Sequence, residues 1–517
     1  FCIELDKIVM WQPNKLEIER LDKLQRLEAQ GIEAYPRRVQ RTHTAAQAVA
    51  DYEAAETRDL ETAESLEVIV CGRIRRVNIK GKISFIHIED ETGRVQVLLR
   101  VNDLGEAAYD LVKDKLIEMD DFVQAAGTMM RTKAGEISVL AREFKLLSKS
   151  LSPLPVIKQR VLEDGTTVEY GEFSDVEQRY RQRYADLAVN RDVRDVFVKR
   201  AEVLRALRRF FDSEGFLEVE TPILQPIYGG AAARPFVTHH NQLKQDLYLR
   251  ISFELYLKRL LAGGYDAVYE VGRDFRNEGV SYKHNPEFTM VEFYKAYIDY
   301  RGVMDLTERL FASVAQSVTG SPLVTFQGQT INFAPPWPRL TMREAIKQQA
   351  AIDYMDYPTA AALEKVIRDG GGSVPPNQPW GKLVSYLFEE HVETKLIQPT
   401  FITDYPRDIS PFAKKVDYDD LHVERFEFYI AGMEMGNAFT ELNDPRDQEA
   451  RFLEMAKLYR DDDDDAAPLD EDYLRAMRYG MPPMGGWGMG IDRMVMLLTD
   501  QRSIRDVLLF PHLREEK

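Results

Sequence analysis

The fold of the larger part of the chain is decided by residues 272–297, which read GRDFRNEGVSYKHNPEFTMVEFYKAY. The stretch begins and ends in segments that alternate apolar and polar residues, and this alternation predicts two strands joined by a loop. Between them lie arginine, lysine and histidine beside glutamates and aromatic rings. Arginine forks bind phosphate and aromatic faces stack on a purine, so this composition favours a nucleotide site.

Glycine-rich phosphate loops are absent from the sequence. No GxxxxGK[ST] segment occurs, and GGWGMGIDR at residues 485–493 does not have the spacing of a GxGxxG loop that opens a helix after a strand. Phosphate would therefore be held by arginine side chains rather than by a glycine cradle.

Composition places the chain among globular proteins. At ~150 residues per domain, 517 residues suggest about three domains or fewer. Cys2 and Cys71 supply neither a disulfide framework nor a zinc spacing, which favours a reducing compartment. The apolar runs are too short for a membrane span, and the N-terminal residues lack the order of a secretory signal. We expect a cytoplasmic protein with no membrane partner.

The net charge of −17 argues against a protein that coats nucleic acid indiscriminately. The acidic surplus is uneven, however. Residues 67–150 contain 14 Lys and Arg against 13 Asp and Glu, a net charge of +1, which leaves −18 for the rest of the chain. This segment can approach a polyanion more easily than the remainder.

The first third of the chain predicts a small barrel. Residues 1–66 form an N-terminal extension with one amphipathic helix at 14–30, and hydrophobic alternation then changes to a period of two. Breaks at IKGK and ETGR indicate hairpins, so residues 67–150 are predicted to form a five-stranded β-barrel of the OB kind. Residues 151–175 are interpreted as a linker.

Residues 176–517 are predicted to form a second domain. One long helix is expected from about residue 182 to Gly215, followed by a strand that ends at Pro222. Several later segments alternate in the manner of strands, with helices between them. This order favours an α+β domain with a large antiparallel sheet flanked by helices over a doubly wound parallel sheet.

Several segments resemble the class II aminoacyl-tRNA synthetases. The resemblance to motifs 1, 2 and 3 of that class lies in GFLEVETPIL, in residues 272–297 and in GWGMGIDRMVMLL. The lysine-specific family within the class is resembled by GGAAARPFVTHHN, ELYLKRLLAGG, DYPRDISPFAKK and EMGNAFTELNDPRDQEARF. From about Leu16 to the C-terminus, the resemblance implies an anticodon-binding OB domain over 67–150, a class II catalytic domain over 176–517, and a homodimer.

For ATP, the resemblance implies five residues. Arg276 would bridge the lysine carboxylate and the α-phosphate, and Arg493 would contact the γ-phosphate. Glu278 would hold adenine, His284 the phosphate tail, and Phe288 would stack on the base. The alternative of a surface arginine paired with Glu278 stays open, but the surrounding pattern favours the catalytic role of Arg276.

For magnesium and lysine, the resemblance implies a set of acids. Glu427 and Glu434 would hold Mg²⁺, which takes one or two protein carboxylates, although a salt-bridged pair on a sheet is an equal alternative. Glu292 and Tyr294, two apart on one strand face, would bind the lysine side chain. The rest of the lysine site would be Gly230, Glu254, Arg276, Asn437, Phe439 and Glu441. Ser252 and Phe253 stand where the family usually has Ala-Pro.

In the barrel, the resemblance implies that Phe85, Gln96 and Glu136 read the anticodon of tRNA(Lys). OB folds supply aromatic platforms on which single-stranded bases stack. Phe85 alone would also fit a core position. The basic segments RIRR and KGK nearby favour the RNA interpretation.

The implied activity is that of a lysine-tRNA ligase. L-lysine and ATP would form lysyl-adenylate and pyrophosphate, and lysine would pass to the 3′-hydroxyl of the terminal adenosine of tRNA(Lys). Two alternatives stay open. An aspartate- or asparagine-specific synthetase shares the barrel and motifs, but it would need a cation where Glu292 and Glu441 stand. A paralogue that binds lysyl-adenylate without tRNA typically lacks the barrel.

Overall fold

The computed structural model describes residues 11–155, 158–161, 167–170, 173, 175–458 and 469–515. Two compact units make up the chain, Phe1–Phe173 and Ser174–Lys517. Each unit has hydrophobic core clusters of its own. Among the described residues, no helix has the length and apolar character to cross a membrane.

Three helices precede the barrel of the first unit: α1 (Lys15–Ala29), α2 (Ala45–Glu56) and α3 (Leu60–Glu64). The expected amphipathic helix is thus present as α1. It begins at a capping box, in which Asn14 accepts from the Glu17 amide and the Glu17 carboxylate accepts from the Asn14 amide. The first ten residues of the expected N-terminal extension lie outside the described residues.

The predicted OB barrel is confirmed. Its strands close in the order β1-β2-β3-β5-β4, with helices α4 and α5 before β4. Alternate side chains point into the barrel, as the period-two pattern requires. The bounds are β1 (Glu67–Lys80), β2 (Ile83–Glu89), β3 (Arg94–Arg100), α4 (Val101–Leu104), α5 (Glu106–Lys113), β4 (Phe122–Arg131) and β5 (Ile137–Ser148).

The segment 151–175, predicted as a linker, includes a two-stranded hairpin of β6 (Lys158–Val161) and β7 (Thr167–Tyr170). Its other described residues form no helix or strand.

The second unit starts with three helices, α6 (Val176–Arg181), α7 (Arg183–Val189) and α8 (Arg191–Ser213). The prediction of one long helix over this stretch was wrong at Asn190, whose backbone is extended. Its side-chain amide donates to Asp186 at 2.6 Å, and such a local bond competes with helix continuation. Gly215, with a φ of +79°, follows the end of α8 as expected.

An eight-stranded sheet organises the second unit, in the order β16-β17-β18-β19-β20-β13-β12-β8. The six central strands are antiparallel, as predicted, whereas β16 and β8 at the two edges run parallel to their neighbours, so the sheet is mixed. The sheet strands are β8 (Leu217–Glu218), β12 (Ala267–Phe275), β13 (Glu287–Ala296), β16 (Arg339–Thr341), β17 (Thr400–Pro406), β18 (His422–Ile430), β19 (Met433–Thr440) and β20 (Met484–Gly490).

Smaller elements complete this unit. One three-stranded sheet has the order β10-β11-β9, and β14 pairs with β15. The remaining bounds are β9 (Leu224–Gln225), β10 (Val237–His240), β11 (Gln245–Leu249), α9 (Glu254–Ala262), α10 (Tyr300–Thr319), β14 (Leu323–Phe326), β15 (Gln329–Asn332), α11 (Met342–Ala350), α12 (Ala360–Asp369), α13 (Trp380–His391), α14 (Pro445–Leu458), α15 (Glu471–Arg478) and α16 (Ile491–Thr499).

The two faces of the large sheet differ in chemistry. On one face, Val291, Phe293, Phe428 and Trp487 belong to a single apolar core that includes residues of α8, α10 and α16. The residues between them on the same strands, among them Glu292, face the other way and line a cavity. Strand periodicity therefore separates the core of this unit from its polar face.

Candidate active site

Two cavities lie at the polar face of the large sheet, with volumes of about 500 Å³ and about 190 Å³. Their walls meet, since Arg276, Met290, Asn437 and Gly488 line both. A volume of about 500 Å³ lies in the range of small-molecule sites in proteins, which is about 300–1,000 Å³.

Nearly all the site residues predicted for the second unit line these cavities. The larger cavity is lined by Gly230, Glu254, Arg276, Glu292, Tyr294, Glu427, Asn437 and Phe439. The smaller is lined by Arg276, Glu278, His284, Phe288, Glu434, Asn437 and Arg493. Glu441 lines neither, because its side chain is fully buried behind the wall of the larger cavity.

Arg276 stands at the junction of the two cavities, directly after β12. Its backbone amide donates to the Pro286 carbonyl at 2.9 Å, and its guanidinium carbon lies 5.2 Å from the centre of the Phe288 ring. No ion pair joins Arg276 to Glu278, although both residues are described. The alternative of a surface arginine neutralised by Glu278 is therefore not what the structure contains, and the guanidinium faces the cavities.

The smaller cavity is rich in cationic groups. Burial and the nearby Arg493 lower the pKa of His284, although Glu278 opposes them. Arg493 donates to the Glu434 carbonyl and approaches the Glu434 carboxylate to 3.7 Å. The resulting wall suits a polyphosphate, because arginine and neutral imidazole can both donate to phosphate oxygens.

Asp492 fixes the start of α16 and hence the position of Arg493. Its carboxylate accepts from the Thr289 amide at 2.9 Å and pairs with Arg200 at 2.6 Å. The bonds thus tie α16 to both β13 and α8. Sequence reasoning missed Asp492 and Arg200, since their separation of almost three hundred residues gives no local signal.

Glu292, like Glu254, is a buried acid that lines the larger cavity. Its Oε1 accepts from the Ser252 hydroxyl at 3.0 Å, and its Oε2 accepts from the Tyr294 hydroxyl at 3.3 Å. Burial, together with the nearby carboxylates of Asp274 and Glu254, raises the pKa of Glu292 well above its usual value. A cation placed beside Glu292 would relieve this repulsion.

Glu254 and Glu441 share an internal cation. The fully buried ammonium of Lys258 forms ion pairs with Glu254 Oε1 and Glu441 Oε2. Burial raises the pKa of Glu441 to about 8, although Lys258 acts in the opposite direction. Sequence reasoning missed Lys258, because a lysine four residues after Glu254 on α9 is the spacing of an ordinary surface ion pair.

Two glycines allow neighbouring side chains to pack closely against the backbone of the cavity wall. Gly230 has a φ of +86°, and a Cβ there would lie 3.0 Å from the Cβ of Glu254. A Cβ on Gly486 would lie 1.9 Å from Glu441 Oε1 and 2.4 Å from Tyr294 Cε1. Only glycine at residue 486 lets both side chains reach this part of the cavity floor.

Glu427 is held in place by three donors. The hydroxyls of Tyr405 and Tyr429 donate to its Oε2, and Arg425 donates to Oε1 at 2.5 Å. Glu434 lies on the adjacent strand β19, and burial and the charge of Glu427 raise its pKa. Two carboxylates that repel each other on neighbouring strands favour a cation at the junction of the cavities.

On the barrel, three of the relevant side chains form one cluster. Gln96 donates to the Glu136 carboxylate, and His87 contacts Glu136 Oε1 at 2.7 Å. Phe85 lies two residues before His87 and therefore on the same face of β2. His87 was missed, although its spacing from Phe85 was a usable signal.

The arginines of the basic segment RIRR are less available to bind RNA than the sequence suggested. Arg73 donates to the Asp120 carbonyl at 3.0 Å and lies over the Phe122 ring, and Arg75 pairs with the Asp120 carboxylate at 3.3 Å. Arg76 is exposed. Two of these three arginines thus hold the barrel together, which weakens the argument that this segment binds RNA.

Comparison with known proteins places this architecture in a family. Residues 175–514 match the family described as tRNA synthetases class II (D, K and N), and residues 68–147 match the OB-fold nucleic acid binding domain. A lysine–tRNA ligase of Roseiflexus castenholzii is 52% identical over 504 residues, which cover 97% of this chain and 99% of the relative. The chain belongs to the lysine–tRNA ligase family of the class II tRNA synthetases.

Other members of the family give the same result. The lysine–tRNA ligase of Chloroflexus aurantiacus is 49% identical over 505 residues, 97% of this chain and 99% of the relative. That of Pelotomaculum thermopropionicum is 48% identical over 500 residues, 96% of this chain and 94% of the relative. The resemblance expected from the motifs is thus confirmed over nearly the whole chain.

Lysine–tRNA ligases use Mg²⁺ together with ATP as a general property of the family. In this chain, the paired carboxylates of Glu427 and Glu434 are oxygen donors of the kind Mg²⁺ prefers. No group of three or more potential metal ligands occurs among the described residues. A donor set of two fits a Mg²⁺ ion that takes its other ligands from phosphate and water.

Proposed function

We propose that this chain is a lysine-tRNA ligase that activates L-lysine with ATP and transfers it to tRNA(Lys). The observation that carries the proposal is the larger cavity, which buried Glu292 and its partner Tyr294 line together with Arg276. An ammonium needs acceptors of this kind, and a carboxylate needs the guanidinium. Both ends of a lysine molecule thus meet complementary groups in one cavity.

The lysine site is proposed as follows. Glu292 and Tyr294 accept from the side-chain ammonium, with Asn437 and Phe439 beside them and Glu441 behind. Glu254 and the backbone at Gly230 receive the α-amino group. Arg276 orients the carboxylate towards the smaller cavity, where it meets the nucleotide.

ATP is proposed to occupy the smaller cavity. Phe288 stacks on the adenine and Glu278 accepts from its amino group, while His284 and Arg493 contact the β- and γ-phosphates. The lysine carboxylate attacks the α-phosphorus, the bond to the bridging oxygen breaks, and pyrophosphate leaves. Arg276 holds both anions within attack range and stabilises the charge that develops on the α-phosphate.

Glu427 and Glu434 would hold Mg²⁺, which would neutralise phosphate charge when bound. Arg425 and the two tyrosines orient the Glu427 carboxylate. No side chain of the protein needs to form a covalent intermediate, because the carboxylate of lysine is itself the nucleophile.

The acids of the cavity disfavour the aspartate- and asparagine-specific alternatives. An aspartate side chain beside Glu292 would add a negative charge to carboxylates that already repel one another. A pocket whose buried polar groups are left unpaired rejects an analogue by roughly 10⁴ to 10⁵.

The barrel over residues 67–150 is proposed to bind the anticodon of tRNA(Lys). Phe85 provides a stacking platform, and Gln96 and Glu136 read base edges. His87 shares a hydrogen bond with Glu136 and joins this set. Residues 1–66 precede this domain, residues 151–175 link it onward, and residues 176–517 carry the catalysis.

We propose a cytoplasmic homodimer. Leu217, Ile223, Leu224 and Val237 in and near β8 to β10 expose apolar side chains, which a second copy could cover. Light scattering of the purified protein would give twice the 59.6 kDa of one chain. A mass equal to one chain at micromolar concentration would refute the dimer.

The deciding experiment is ATP–pyrophosphate exchange with each of the twenty amino acids, with Mg²⁺ present and tRNA absent. We expect exchange with lysine alone. Exchange with aspartate or asparagine would contradict the proposed lysine site, and no exchange with any amino acid would favour a paralogue that only binds. Charging of tRNA(Lys) by the same preparation completes the test.

A further inference from the structure

The lysine site contains a lysine of the protein itself. Lys258, in the second turn of α9, has no exposed surface. Its ammonium pairs with Glu254 Oε1 and Glu441 Oε2 and lies 4.7 Å from the centre of the Phe412 ring. A buried ammonium is costly unless it is paired, so this position requires both carboxylates.

Both partners of Lys258 belong to the proposed lysine site. Glu254 lines the larger cavity, and Glu441 Oε1 lies directly behind Gly486 in the cavity floor. Within the described residues, Oε1 of Glu441 accepts no hydrogen bond. Lys258 therefore neutralises part of the negative charge on which a bound substrate ammonium depends.

The charges of the site can be counted. Glu254, Glu292 and Glu441 contribute three negative charges when ionised, and Lys258 contributes one positive charge. The remaining formal charge of −2 equals the opposite of the charge on the two ammonium groups of free lysine. The carboxylate of the substrate has its own partner in Arg276, which lines both cavities.

The other charged groups near these acids include both signs, and Lys382 and Glu389, which also line the cavity, have opposite charges. Arg425, which faces Glu254, pairs with Glu427 at 2.5 Å. Arg250 pairs with Glu270 at 2.6 Å and with Asp274 at 3.4 Å, and Arg276 supplies a second positive charge near Asp274. The hydroxyls of Tyr294 and Tyr473 stay protonated, because burial raises the pKa of both.

We propose that Lys258 is a positioning residue that sets the charge of the lysine-bound site, in which all three acids are ionised, at −2 and so selects a substrate with two ammonium groups. The inference rests on the proposed function and adds a determinant of specificity to it. Lys258 acts through Glu254 and Glu441 and does not touch the substrate. Without this internal cation, the lysine-bound site would have a formal charge of −3; with one acid fewer, it would have a formal charge of −1, which is too little for two ammonium groups.

The test is a pair of variants that differ only at Lys258. Glu441→Gln changes the formal charge of the site from −2 to −1. We expect the lysine KM in pyrophosphate exchange to rise at least about tenfold. Adding Lys258→Gln returns the charge to −2 and replaces the ion pair by two amides. The double variant should have a lysine KM about five- to tenfold lower than Glu441→Gln, with an ATP KM unchanged within about twofold.

Arg259→Gln is the matched control. Arg259 is the next residue of α9 and also forms an ion pair, with Asp470 at 2.7 Å, but it does not line either cavity. We expect its lysine KM to equal that of the unaltered protein. Melting temperatures of all variants report whether the helix stays folded.

The outcomes separate the hypotheses. A double variant whose lysine KM is equal to or higher than that of Glu441→Gln overturns the charge role and makes Lys258 structural. If the double variant does not fold, Lys258 is likewise structural, because the two amides then cannot replace the ion pair. Lack of lysine-dependent exchange in the unaltered protein would instead refute the proposed function, and the inference with it.

Discussion

At the scale of single residues, Glu292 carries the largest expected effect on lysine binding. Glu292→Gln leaves the shape of the side chain but removes the charge that meets the substrate ammonium. Loss of one partner of a buried charged pair costs about 2–5 kcal/mol, so the lysine KM should rise roughly 30- to 4,000-fold. Pyrophosphate exchange measures it, and Glu287→Gln on the same strand, where Glu287 pairs with Arg273, is the control. An unchanged lysine KM in Glu292→Gln would remove Glu292 from the site.

Buried acids also predict a pH dependence. Burial raises the pKa of Glu441 to about 8, so this acid holds a proton in the empty site below that pH, and burial also raises the pKa of Glu292. A bound ammonium favours the ionised form of Glu441 and releases its proton. Lysine affinity should therefore fall as the pH drops from about 8.5 to 6.5, by up to about tenfold per pH unit for each proton released. Calorimetric titration at both pH values measures this, and equal affinities would contradict it.

At the scale of elements, a variant in strand β2 should affect tRNA recognition without affecting amino-acid activation. Phe85→Ala removes a stacking face, which is worth about 1–3 kcal/mol per base and corresponds to a roughly 5- to 150-fold higher tRNA KM in charging. The exchange reaction without tRNA should not change. Ile83→Ala alters an exposed apolar residue on the same strand and is the matched control. Equal effects of the two variants would mean that Phe85 only supports the barrel.

The helices and strands differ in how well they could be predicted from the sequence. The strands of the barrel and the central strands of the large sheet followed from period-two alternation, because each has one buried face. The break at Asn190 did not follow, since the residues on both sides keep helical periodicity and only one side-chain bond interrupts the helix. The strand predicted to end at Pro222 is present as β8, but it ends at Glu218, and its parallel pairing with β12 did not follow from the sequence. The other edge strand, β16, was missed because its three residues are too few for a pattern.

At the scale of the whole molecule, we expect the two units to have separate functions, with amino-acid activation in the second unit and anticodon binding in the first. Both cavities are lined only by residues of Ser174–Lys517. A chain that begins at Ser174 should therefore keep lysine-dependent exchange within about tenfold but lose most of its charging of tRNA, because phosphate and anticodon contacts supply much of the affinity for RNA. Circular dichroism would first establish that this part folds. Full charging activity without the barrel would contradict the proposed anticodon domain.

The site as a whole was predictable only where the chain has motifs of the class II synthetases. The resemblance to that class found the residues that line the cavities, from Gly230 to Arg493. They did not find the supporting residues Lys258 and Asp492, which act through partners far away in the sequence. They also placed Glu441 in contact with the cavity, whereas the structure buries it behind Gly486. Chain folding, rather than local pattern, decides which acids face a substrate and which face the protein.

Arg276 and Asn437 line both cavities, and this shared wall has a thermodynamic consequence. Two ligands that contact the same side chains cannot bind independently, because each one arranges those side chains for the other. The coupling must be reciprocal: the factor by which lysine changes the affinity for ATP equals the factor by which ATP changes the affinity for lysine. If lysine and ATP occupy the two cavities as proposed, the junction at Arg276 links the binding of one substrate to the binding of the other before any bond is made.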